Sequence, residues 1–188
     1  MRPSPSPSRT AGLRNEDIMM DVVKGGLVVG VDGSAAALAA LRWSATKARL
    51  LRAPLVVVHA WQPTAVLRAP YAPAAGRRTP EQEQACAAAT LEEAVAELLD
   101  ADADVDFVPL LDCGPAERVL LWHTSDALLL ALGRKPFRDV TGPALGAVAR
   151  VCLRYAVCPV VTVPEPRSPG EQARPRPAPK TTAGLRRA

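Results

Sequence analysis

The sequence predicts an α/β domain: a doubly wound, five-stranded parallel sheet with strand order 3-2-1-4-5 and helices on both faces. Three observations carry that expectation. Apolar runs of strand length alternate with stretches of helical period along most of the 188 residues, and this alternation builds a parallel sheet with right-handed crossovers. The apolar runs are mostly continuous, as strands covered on both faces require. Pro109 interrupts the third run and Pro159 opens the fifth, and proline is tolerated mainly at sheet edges or strand starts.

The first strand is Leu27-Val28-Val29-Gly30-Val31, followed by Asp32-Gly33-Ser34. Ser34 is placed to N-cap a helix whose apolar stripe is Leu38, Leu41, Ala45 and Ala48. Leu55 to Ala60 forms the second strand, with His59 inside it. The connection from Gln62 to Pro80 holds Pro63, Pro70, Pro73 and Pro80, and a loop of that length is either functional or mobile. Ala88, Leu91, Val95 and Leu98 stripe the second helix. Val105 to Leu111 is the third strand, and Asp104 and Asp106 suit an exposed edge there. The third helix opens at Gly114-Pro115, with proline at the first helical position. Ala127 to Leu132 is the fourth strand. The fourth helix runs from Pro143 through Leu145, Val148 and Cys152, and Val160 to Val163 is the fifth strand.

In a 3-2-1-4-5 sheet the chain turns in opposite directions after strands one and four, which opens a crevice at their carboxyl ends. Asp32 and the segment from Gly133 to Gly146 then face one another. That segment reads Gly133-Arg134-Lys135-Pro136, nine residues to Leu145, then Gly146-Ala147 entering a helix. Glycines at both ends of such a loop can bring backbone close to an anion at a helix amino terminus. Two positions depart from that chemistry: Pro136 has no N–H to donate and Ala147 has no hydroxyl. Both glycines have a plainer explanation in backbone geometry, and Asp32 one in helix capping.

Composition narrows the function classes. The formal net charge is +4, but residues 27–164 carry 13 basic and 14 acidic groups while residues 165–188 carry six and two. The basicity belongs to the ends, so a nucleic-acid-binding face on the folded part is not expected. Cys86, Cys113, Cys152 and Cys158 lack the close paired spacing of zinc or redox sites, which points to reduced thiols in a cytosolic protein. No apolar run is long enough to span a membrane, and the Pro/Ser-rich start is unlike a signal peptide. The expected organisation is a disordered Pro/Ser-rich tail over 1–24, one domain over 25–164, and a disordered, basic Pro/Arg-rich tail over 165–188.

The strand ending in Asp32-Gly33-Ser34, the strand with His59, the turn Gly114-Pro115-Ala116 and the unit from Asp126 to Cys158-Pro159-Val160-Val161 resemble the universal stress protein family. The resemblance spans residues 25–164 and implies a Rossmann-like fold. Many members bind ATP through G-x-x-G, nine residues, G-S/T, with an aspartate after the first strand. It therefore implies a pocket lined by Asp32, Ala60, Leu132, Gly133, Gly146, Ala147 and Val148. In that comparison Pro136 replaces the middle glycine and Ala147 the hydroxyl residue. The cations Arg134, Lys135 and Arg138 lie in the same loop. Members commonly dimerise through the last strand, which here implies a homodimer across Val160–Val163.

Two readings follow: a cytoplasmic stress-response module that takes an adenine nucleotide, ATP among them, and a dimeric interaction module that has lost it. A phosphate-transferring enzyme is less expected, because no paired carboxylates, metal cluster or activated nucleophile accompany the loop. His59 reads as a hydrogen-bonded core residue rather than a metal ligand, and His123 as the inert end of a short helix. Trp43 and Trp122 fit helix packing, while Trp61 lies near the crevice, where packing competes with stacking on a base.

Overall fold

Leu27 to Gly30 form β1, whose leucine and two valines are each wholly removed from water. In a computed structural model of the chain, residues 24–64, 78–101, 105–135 and 145–165 are described. The two terminal tails up to Val23 and from Pro166, residues 65–77 of the long connection, Asp104, Pro136, Arg138 and Pro143 lie outside the described residues. After β1 come α1 (Ala35–Leu51), β2 (Leu55–Trp61), α2 (Pro80–Ala101), β3 (Phe107–Cys113), α3 (Ala116–His123), β4 (Leu129–Arg134), α4 (Ala147–Tyr155) and β5 (Val160–Pro164).

The sheet has the order β3-β2-β1-β4-β5, and every pairing is parallel. Gly30 therefore has Val58 on one side and Leu132 on the other. Side chains alternate between faces along a strand, so each strand serves two cores. On one face Leu27, Val29 and Val57 pack with Leu41, Ala45 and Ala48 of α1 and Leu91, Ala94 and Leu98 of α2. Val28, Val56, Val58, Leu130 and Leu132 meet Val119 and Leu120 of α3 and Ala149 and Cys152 of α4 on the other. Each buried leucine or valine contributes about 1.5–3 kcal/mol, so continuous apolar strands are the expected outcome of a sheet covered on both sides. Pro109 lies exposed in the edge strand β3, where a missing N–H costs no ladder bond on the open side.

Several boundaries differ from expectation, each for a local reason. β4 continues through Gly133 and Arg134 because β5 runs alongside them, Gly133 beside Val163 and Arg134 beside Pro164. Val105 is buried ahead of β3 rather than in it. Pro115 is the N-cap of α3, not its first helical residue: its ψ of 129° is extended, and its carbonyl already accepts from the N–H groups of Arg118 and Val119 at 2.9 and 3.1 Å. Helix α4 begins at Ala147, with Leu145 still outside it. Trp43 packs partly into the first core. Trp122, expected to pack, is instead 70% exposed.

Candidate functional site

The crevice begins where β1 releases the chain. The Val31 N–H donates to the Val58 carbonyl at 2.9 Å, and the Val31 carbonyl accepts from His59 Nδ1 at 2.7 Å. His59 is thus a hydrogen-bonded structural residue, as its apolar surroundings in the sequence suggested. Gly33 follows at φ 76°, and a Cβ there would also press on Thr90 Cγ2 at 3.1 Å. That left-handed turn suits glycine alone among unstrained residues. Asp32 Oδ1 accepts from the Ser34 N–H at 3.0 Å, and Ser34 Oγ accepts from the Ala37 N–H at 3.2 Å. The chain's own side chains therefore cap one first-turn amide of α1 and brace the turn before it.

The two glycines of the loop differ in kind. At Gly133 a Cβ would lie 2.4 to 2.5 Å from backbone atoms of Ala36 and Ala37. The end of β4 is pressed against the first turn of α1, and glycine is needed there for packing. At Gly146 a Cβ would meet nothing within 4 Å among the described residues, and its φ of −62° suits any residue. Gly146 is the N-cap of α4, with no side-chain capping bond and no acidic residue in the first turn. Helix α4 gives way to β5 within a few residues of Tyr155, so its amino end lies toward the carboxyl edge of the sheet, the edge Asp32 occupies.

The remaining residues singled out from the sequence divide by strand. Leu132 is buried in β4 beside Gly30, and Gly133 follows it at the β1–β4 junction. Ala60 stands one strand further, on β2, half-buried against the second core. Ala147 is exposed and Val148 half-buried at the start of α4. Arg134 is half-buried and Lys135 exposed at the end of β4. The β1 and β4 ends are adjacent with no strand between them, the arrangement from which a crevice was expected.

Sequence reasoning overlooked one pair. His123, only 7% exposed, places Nε2 3.0 Å from Asp112 Oδ2, and Asp112 Oδ1 accepts from the Cys113 N–H at 2.9 Å. Asp112 stands beside Ala60 in register. No local pattern signals a contact between a strand end and the last turn of the next helix. A second pin holds the start of the long connection, where the Thr64 N–H donates to Glu83 Oε2 at 2.9 Å and its hydroxyl donates to the other carboxylate oxygen.

The two thiols at the inner side and far end of α4 are unreactive in kind. Burial, then the Glu117 charge, then Cys158 push the Cys152 thiol up to about 11, and burial raises Cys158 as well. Both stay protonated at neutral pH, away from the thiolate that reacts. Among the described residues no group of three His, Cys, Asp or Glu side chains is arranged to hold a metal ion, and no helix is long and apolar enough to cross a membrane. Helix α4 begins without a side-chain cap, and such a helix start carries partial positive charge.

Comparison with known proteins agrees with this architecture. The family model described as the universal stress protein family matches residues 26–164. A curated universal stress protein of Mycobacterium tuberculosis is 32% identical over 143 residues, covering 73% of this chain and 47% of the relative. The chain thus spans about half the length of the curated relatives it matches. Among solved structures, the Archaeoglobus fulgidus universal stress protein in complex with dAMP is 25% identical with a TM-score of 0.53, over 75% of this chain and 98% of that one. A universal stress protein in complex with cAMP is similar in fold, with 22% identity and a TM-score of 0.56 over 76% of this chain and 98% of that one.

Proposed function

For a chain that belongs to the universal stress protein family over residues 26–164, we propose the role of a cytoplasmic stress-response binding module whose crevice takes an adenine nucleotide, ATP among them. The observation that carries this reading is the amino end of α4, left without a side-chain cap behind a glycine that packing does not require. A phosphate group fits there, since it accepts from first-turn amides and meets the positive end of the helix. In this reading Asp32, Ala60, Leu132, Gly133, Gly146, Ala147 and Val148 line the pocket. The dAMP bound by the Archaeoglobus protein supports an adenine ligand. The module is not an enzyme: ligand occupancy favours one arrangement of the loop and so changes the surface shown to a partner.

Calorimetric titration with ATP tests the proposal, on the natural chain beside a Pro136→Gly, Ala147→Ser double variant. Heat is expected in both, with tighter binding in the variant, because each restored donor to a charged group contributes about 1–3 kcal/mol. Absence of heat in both would leave a nucleotide-independent interaction module. One observation favours that second reading: Gly133 is accounted for by its contact with α1, without any ligand.

In either reading the chain works as a homodimer. β5 pairs only with β4 among the described residues, and its Val160–Val163 edge is half-buried and apolar, so it can receive an antiparallel twin. A second copy would match the length of relatives about twice as long. Light scattering at tens of micromolar is expected to give the dimer mass, and a monomer mass would count against this assembly. The acting unit is residues 25–164, with 1–24 and 165–188 as tails.

A further inference from the structure

Each helix of this parallel fold runs back against the strands, so it ends where the next strand begins, at the amino end of the sheet and opposite Asp32. Among the described residues, the eight large apolar side chains that stay exposed all lie at that end. Three of them close α1 and α2. The other five, Trp122, Leu128, Leu153, Tyr155 and Val157, stand along the starts of β4 and β5 and the last turns of α3 and α4. Trp122 is 70% and Val157 78% exposed. The two strand starts are joined, since the Leu130 N–H donates to the Pro159 carbonyl at 2.9 Å. Single exposed apolar residues need no explanation, but five along one side of the molecule mark a surface that something covers.

The chain itself enters the fold beside this strip. The Gly25 N–H donates to the Asp126 carbonyl at 2.9 Å, and the Leu128 N–H donates to the Gly26 carbonyl at 2.8 Å. Gly25, at φ 74°, makes a left-handed turn just before β1. The six residues ahead of Lys24 are Ile18-Met19-Met20-Asp21-Val22-Val23, five of them apolar, whereas Pro3 to Ser8 alternates proline with serine. We infer that Ile18–Val23 docks on the strip as an intramolecular strap, its apolar side chains covering Trp122, Leu128 and Tyr155. Six extended residues reach about 20 Å, and two strand spacings take up about 10 Å, so the segment is long enough to pass the starts of β4 and β5 and meet the last turn of α4. Attachment at Lys24 gives it an effective concentration of about a millimolar, which a separate partner has to exceed. Glu16 and Asp17 precede it, opposite in charge to the exposed Arg154, whose guanidinium lies 5.5 Å from the Tyr155 ring. The inference is independent of the nucleotide reading, which concerns the other end of the sheet.

Hydroxyl-radical footprinting of the full chain, read residue by residue by mass spectrometry at about 1 and about 50 µM, tests this. The comparison is a full-length strap variant carrying Ile18→Ser, Met19→Ser, Met20→Ser, Val22→Ser and Val23→Ser. Oxidation of Trp122 and Tyr155 is expected to rise at least about threefold in that variant, because a strap docked about two thirds of the time or more leaves its site open about one third or less. Trp43 and Trp61 keep their rates, and the circular dichroism is unchanged. In the reciprocal variant, Trp122→Asp with Tyr155→Asp, oxidation of Met19 and Met20 rises while that of Met1 does not. Equal rates for Trp122 and Tyr155 in the natural chain and the strap variant overturn the inference. Protection that survives in the strap variant and grows with concentration overturns it as well, and gives the strip to a second copy. Unchanged Met19 and Met20 in the reciprocal variant place the segment elsewhere and also overturn it.

Discussion

The amino ends of α1 and α4 lie toward the same edge of the sheet and are built in opposite ways. α1 is held from several directions: Ser34 caps it, Asp32 braces the turn before it, and the backbone of Gly133 presses on its first turn. Its far end is closed as well, where Arg52 adopts a left-handed φ of 52° and its N–H bonds the last carbonyls. α4 has no side-chain cap, and its start is bordered by a glycine with empty space around it. It is anchored by its inner face, through Ala149 and Cys152. The contrast teaches that side-fastening is common to both helices, since α1 also buries Leu41, Ala45 and Ala48, whereas a side-chain cap at the amino end is added to α1 alone; α4 relies on its inner face.

The largest disturbance of this arrangement is expected from Gly133→Ala. A Cβ 2.4 Å from the Ala36 carbonyl carbon forces backbone to move, and overpacking of this kind costs about 3 kcal/mol. A fall in the urea midpoint at unchanged slope would show it, and unaltered stability would mean the two elements are not in close contact.

Cys152 tests the side-fastening of α4. Its folded-state value near 11 lies above the ordinary 9.0, so between those pH values the unfolded chain has released a proton that the folded chain keeps. Stability is then fully present below pH 9 and declines as pH rises toward 11. Thermal melts across that window should show the decline in the natural chain and a smaller one in Cys152→Ala. The same burial predicts that Cys86 and Cys113, both exposed, react with a thiol reagent well before Cys152.

Smaller effects separate the two amino ends directly. Ser34→Ala is expected to cost about 1 kcal/mol, the usual loss of a serine cap, seen as a lower melting temperature. Gly146→Ser should raise stability by only a few tenths of a kcal/mol, because it caps an end that packing does not hold. If Gly146→Ser lowered stability instead, something already in contact with that end would have been displaced.

Much of this was legible in the order of residues alone, because hydrophobic period and proline placement are local properties that survive into the fold. Continuous runs such as Leu55 to Val58 can satisfy their burial only between two layers of helix, and Pro109 and Pro159 restrict which strands stand at edges or begin with a proline. From those constraints come the strand order, the adjacency of β1 and β4, and the Ser34 cap. Tertiary structure alone decided the rest. The sequence shows Gly133 and Gly146 as two like letters, yet one fills a contact with α1 and the other borders open space, a difference set by neighbours about a hundred residues away. The bond from His123 to Asp112 and the exposure of Trp122 are of the same kind. Periodicity shows which side of an element is apolar, whereas contact between particular atoms depends on how whole elements are laid against each other.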